Sequence, residues 1–155
     1  MSEHKATILW KNGSGDFPSG RYSREHTWSF DGGLSVPASA SPSVVRPPMS
    51  NPEAIDPEEA FVASVSSCHM LTFVYLAWKE GFEPESYEDH AVGHMSRNEQ
   101  KVPWISRIIL SPRVTYRGER RPNADEEAHL HHEAHAQCFI AQSVKTVIEV
   151  APNGF

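Results

Sequence analysis

The chain has 155 residues, with 20 acidic and 14 basic side chains and a formal net charge of −6. That length suits a single domain, residues 1–155, able to bury its own core without disulfide or metal staples. An acidic chain whose longest basic block is Arg120-Arg121 is not built to hold nucleic acid or an anionic membrane.

The first residues, MSEHKATILW, lack the basic flank and apolar segment of an export signal, and the longest apolar run falls short of a membrane span. The expected setting is cytoplasmic. From there, HKATILWKNGSGDFPSGRYSREHTWSFDGGLSVPAS alternates short β-prone runs with Gly, Pro and Asp turn signals, which predicts a three-stranded antiparallel meander. The Pro- and Ser-rich stretch PASASPSVVRPPMSNPEAI has neither helical nor strand periodicity, and a loop of that length in a small domain is usually functional.

The strongest helix signal follows. Asp56 suits the N-cap, Pro57 the first helical position and Glu59 the third, together resembling a capping box, and Gly81 stops the helix after Glu80. Nearly every face of this segment is apolar or small, so it belongs at a core or an interface. Two longer strands, YEDHAVGHMSR and WISRIILSPRVTYRG, then predict a second antiparallel hairpin. Pro122, Asn123 and the acidic first turn Asp125, Glu126 and Glu127 open a helix that ends near Cys138. CFIAQSV reads as a short helix and VKTVIEV as a last strand, which gives βββ-α-ββ-α-α-β, an α+β protein.

Only two cysteines occur, Cys68 and Cys138, too far apart in sequence for a CxxC redox or zinc pattern. In a reducing cytosol they are core filler or redox chemistry. HLHHEAH places His131 and His135 four apart on one helix face, a spacing that suits two imidazoles on one zinc. There is no HExxH pattern and no third ligand, so exposed polar helix surface is the plainer reading, ahead of a metal-dependent hydrolase. His135 also stands one turn before Cys138, where an imidazole would tune the thiol. His69, adjacent to Cys68, points about 100° away from it, and packing or a polar contact is expected there instead.

Glu58 lies about 15 Å before Cys68 along an uninterrupted helix. The two cannot meet within one chain, but two copies of the helix packed antiparallel across a two-fold axis would bring them together. Alone, Glu58 is a first-turn acid favoured by the helix dipole. An arginine beside a thiol would favour the thiolate, and Arg24, Arg21 and Arg46 are the candidates.

Taken together, DPEEAFVASVSSCHMLTFVYLAWKEGF and HHEAHAQCFIAQSVKTVIEV resemble the OsmC/Ohr family of osmotically inducible and organic-hydroperoxide-resistance proteins, over almost the whole chain. Phe139 stands where the Ohr branch has proline after its second cysteine, and SSCHMLTF also differs, which places the resemblance in the broader OsmC-like group. The resemblance implies an intertwined homodimer with two long helices at its centre. It implies a thiol peroxidase for organic hydroperoxides, with hydrogen peroxide a further candidate substrate, using no metal, haem or flavin and recycled by a dithiol reductant. Cys68 would be the peroxidatic cysteine, Cys138 the resolving one, and Glu58 the partner of an arginine, with Arg24 first choice. The competing reading is a non-catalytic dimer that binds an apolar ligand or acts as a redox sensor.

Overall fold

A computed structural model describes residues 2–13, 15–152 and 154. The chain divides into two units, Met1–Ala60 and Phe61–Phe155.

The first unit holds the expected meander. Strands β1 (Ala6–Leu9), β2 (His26–Phe30) and β3 (Ser35–Ala38) pair antiparallel in the order β1-β2-β3. Thr7 faces Ser29 and Thr27 faces Pro37 in the register. Between β1 and β2 the chain makes a short 3-10 helix over Phe17–Ser19, closed by Gly20 in the left-handed region at φ +78°. The Pro-rich stretch after β3 makes turns and bends, and an isolated parallel bridge joins Ala38 to Ile55.

Helix α1 (Pro57–Lys79) begins in the first unit and runs into the second. Its start is the expected capping box: the Glu59 amide donates to Asp56 Oδ1 at 2.8 Å, and the Asp56 amide donates to Glu59 Oε2 at 3.3 Å. Gly81, at φ +78°, takes the left-handed conformation that ends it. Its buried residues are Val65, His69, Phe73 and Ala77, a four-residue spacing that makes one stripe. By length and composition alone α1 would also serve as a membrane span, so the expectation that no segment is apolar enough is corrected once small and weakly polar residues are counted with the apolar ones.

The second unit departs most from the sequence reading. Each of the two expected long strands is two, giving β4 (Glu83–Asp89), β5 (Val92–Arg97), β6 (Pro103–Leu110) and β7 (Pro112–Arg117). The hairpin is nested: β5 pairs with β6, and β4 pairs with β7, all antiparallel. Asp89 marks the break. Its Oδ1 accepts the Ser111 amide at 2.6 Å, a bond from a side chain where a ladder would use a carbonyl, and its Oδ2 accepts the Ser66 hydroxyl of α1. Pro112, next in the chain, has no N–H to continue a ladder.

Helix α2 (Ala124–Gln137) is capped as expected, with the Glu126 amide on Asn123 Oδ1 and the Asn123 amide on Glu126 Oε2. The expected short helix after Cys138 is a 3-10 turn over Ala141–Ser143, and the last strand is β8 (Val147–Val150). It lies parallel to β6, giving the sheet order β5-β6-β8.

Two apolar clusters build this unit. Phe73, Ala77, Phe82, Leu130 and Ala134 join α1 to α2. Val65, Ile108 and Leu110, with Val62, Ile105 and Ile148 beside them, join α1 to β6 and β8. Gly93 on β5 allows the close approach of α1: a Cβ there would stand 2.6 Å from Val62 Cγ2. The opposite face of α1 is apolar and open in the chain, with Leu71 63%, Tyr75 53% and Trp78 70% exposed.

Candidate functional site

Both cysteines lie in the second unit, and both are free thiols. Cys68 sits in the middle of α1, half-buried, its carbonyl accepting the Thr72 hydroxyl at 2.9 Å. Cys138 is the residue at which α2 ends, and only 1% of it is exposed. The fold brings the Cys68 side chain near enough to Cys138 to act on its titration. Burial, then the neighbouring Cys68 side chain, pushes the Cys138 thiol up to about 11, while the Ala141 amide, 3.4 Å from its sulfur, acts weakly the other way. Cys138 is therefore a protonated thiol at neutral pH.

His135 is not among the groups that act on Cys138; its field falls on His69 instead. The histidines rearrange the sequence reading in a second way. His131, expected on an exposed polar face, is 3% exposed, because α2 turns that face toward α1. His131 Nδ1 lies 3.1 Å from His69 Nε2, the rings nearly parallel, and Phe73 stacks on His131 with centroids 4.4 Å apart. The polar contact expected for His69 is thus made, and its partner is a residue expected at the surface. Burial lowers both imidazoles to about 4, with the fields of His131 and His135 adding to the effect at His69. Among the described residues no group of three or more His, Cys, Asp or Glu side chains is arranged to hold a metal ion. The signal that could have revealed the pair is the spacing of His69 with Val65, Phe73 and Ala77, which puts an imidazole on a core stripe.

Glu58 and the arginines lie in the first unit. Glu58 Oε2 is buried without a hydrogen-bond partner, and among the described residues its carboxylate has no ion pair. Arg24 does not meet it: the guanidinium donates from one nitrogen to the carbonyls of Gly20 and Tyr22 and lies 3.7 Å over the Tyr22 ring. There it lines an apolar cleft with Ile8, Trp10, Phe17, Tyr22 and His26. Arg21 is paired with Asp16 at 2.9 Å, and Arg46 is an exposed loop residue.

Known proteins agree with this architecture. A protein from Vibrio cholerae, described as an OsmC-like protein of unknown function, has a solved structure with a TM-score of 0.96 and 45% identity, covering 98% of this chain and 99% of that one. An organic hydroperoxide resistance protein from Elizabethkingia anophelis has the same fold at 16% identity, with a TM-score of 0.71 and coverage of 98% and 94%. So has the organic hydroperoxide resistance protein OhrB of Bacillus subtilis, at 14% identity, a TM-score of 0.65 and coverage of 97% and 96%. No curated protein matches the chain. The family model described as OsmC-like protein matches residues 50–153, a stretch that takes in α1, both cysteines and every strand of the second unit, and the chain belongs to that family.

Proposed function

We propose that the chain is a thiol peroxidase that reduces organic hydroperoxides. The observation that carries this reading is the nearness of the two free cysteines, Cys68 acting on the Cys138 thiol, within an OsmC-family fold. The Cys68 thiolate attacks the O–O bond; an S–O bond forms, the O–O bond breaks, and the alkoxide takes a proton and leaves as alcohol. Cys138 then attacks the Cys68 sulfenic acid, forming an S–S bond and releasing water. A dithiol reductant returns the disulfide to two thiols. Overall one hydroperoxide and two thiols give one alcohol, one water and one disulfide.

Glu58 and Arg24 complete the site in a homodimer, the carboxylate of one copy reaching the α1 centre of the other and fixing an arginine beside the Cys68 thiolate. What supports this is the orphaned, buried Glu58 carboxylate, the open apolar face of α1, and the place of Arg24 in an aromatic cleft suited to an alkyl chain.

The burial of Cys138 favours a second reading, a redox sensor whose disulfide closes slowly, because a thiol pushed up to about 11 supplies little thiolate at neutral pH. One experiment separates the two. Reduced protein receives one equivalent of an organic hydroperoxide, and free thiols and intact mass are followed beside Cys68→Ser and Cys138→Ser. The peroxidase is expected to lose two thiols within seconds, Cys138→Ser to accumulate a sulfenic acid, and Cys68→Ser not to react. Closure over many minutes, with no sustained turnover under a dithiol, establishes the sensor; thiols still reduced in excess peroxide sink both.

A further inference from the structure

The buried polar groups that the peroxide chemistry leaves unused converge between α1 and α2. His69 and His131 bond to each other, and each has its other nitrogen, Nδ1 and Nε2 respectively, buried without a partner. Glu127 of α2 stands 4.0 Å from His131 Nε2. From the strands, the Tyr87 ring of β4 lies 6.4 Å from His131, and its hydroxyl and that of Tyr116 on β7 are also buried and unpartnered. Asp89 acts on Tyr87, Glu127 on Tyr116, and His135 on His69.

An apolar pair would suit this place better as packing. Val65, Phe73 and Ala77 continue the same α1 stripe, and Leu130 and Ala134 line the facing side of α2. Two imidazoles there leave orphaned nitrogens, which costs stability that leucines would not. What a polar pair adds is register. Apolar side chains tolerate sliding, whereas a single N–H···N bond between two stiff rings is made at one mutual position of the helices. The bond falls one residue past Cys68 on one helix and about two turns before Cys138 on the other. A disulfide between those residues tolerates little error, since its Cα atoms must lie within about 7 Å with the Cβ vectors converging.

We propose that the His69–His131 bond is a positioning device that holds α1 and α2 in the register at which Cys68 and Cys138 close to a disulfide. Its action is on closure; the attack of Cys68 on an oxidant does not require it. The inference rests on the reading of Cys68 and Cys138 as a redox pair, but not on peroxide being the oxidant.

The test is the effective concentration of the two thiols, measured by equilibrating the protein in glutathione redox buffers at pH 7. It is run on the wild type, on the double variant His69→Leu/His131→Leu, and on His131→Asn, whose side-chain amide replaces the Nδ1 position. Positioning predicts a fall of at least tenfold in the double variant, with helical circular dichroism retained, and a value within threefold of wild type for His131→Asn. Sulfenic acid formation at Cys68, measured with a hydroperoxide in a Cys138→Ser background, stays within twofold in all of them. Should the double variant not fold, His131→Phe, which keeps a ring against Phe73, carries the same comparison. An unchanged effective concentration in a folded variant lacking the bond overturns the inference. A wild type inert to peroxide but with thiols coupled through the His pair removes the peroxidase reading and leaves this one standing.

Discussion

At the scale of single residues, the buried imidazoles give the molecule an acid limit. Both His69 and His131 are lowered to about 4, from an ordinary value near 6.5, chiefly by burial. The folded chain therefore holds fewer protons than the unfolded one between those values, and the stability that the neutral pair contributes above pH 6.5 is lost as pH falls toward 4. Glu127, whose carboxyl burial raises, works in the opposite sense. Comparison with His69→Leu/His131→Leu isolates the pair. Urea denaturation at pH 7 and pH 4.5 is expected to show the wild type losing about 2 to 4 kcal/mol more than the variant. Each pH unit that separates folded from unfolded titration is worth about 1.4 kcal/mol, and two rings in contact do not contribute independently. Equal losses would mean that the rings protonate without penalty. None of this was legible in HLHHEAH, because the residue that turns His131 inward lies on another helix. The approach of Cys68 to Cys138 was legible only through family resemblance, since neither cysteine carries a local signal for the other.

Among the elements, those whose ends are written in local chemistry were read correctly. Asp56, Pro57 and Glu59 start α1, Gly81 ends it, and Asn123 with Glu126 starts α2. What escaped were features decided by distant groups. The strand breaks follow from the Asp89 carboxylate bonding the Ser111 amide, a contact between the two arms of the hairpin. Likewise, the parallel alignment of β8 depends on a choice of neighbour that alternation in VKTVIEV does not encode. Gly93 belongs here too, because its value comes from Val62 on α1. Gly93→Ala forces a methyl to 2.6 Å from a stiff, β-branched side chain, and the helix or the strand must give. The expected cost is about 1 to 3 kcal/mol, as for other overpacked sites, read as a lower thermal midpoint; Gly93→Ala together with Val62→Ala should recover part of it. A midpoint unchanged in the single variant would show that the α1–β5 contact is loose.

For the whole molecule, the proposed homodimer rests on the apolar face of α1. Leu71 and Trp78, each more than half exposed, share it with Tyr75, and exposed apolar surface of that kind marks an interaction site. Light scattering after size exclusion is expected to give twice 17.3 kDa for the wild type and 17.3 kDa for Leu71→Glu/Trp78→Glu. A wild type at 17.3 kDa would leave Glu58 without a partner copy to reach. The parallel pairing of β6 with β8 has a further consequence, during synthesis. The β5-β6-β8 sheet gains its β8 edge only after β7 and α2 have been translated, so that sheet is completed late. Cys68 leaves the ribosome 70 residues before Cys138 and waits through that interval without its neighbouring thiol. On the proposed reading, a sulfenic acid formed at Cys68 in the nascent chain has no second sulfur to intercept it before further oxidation.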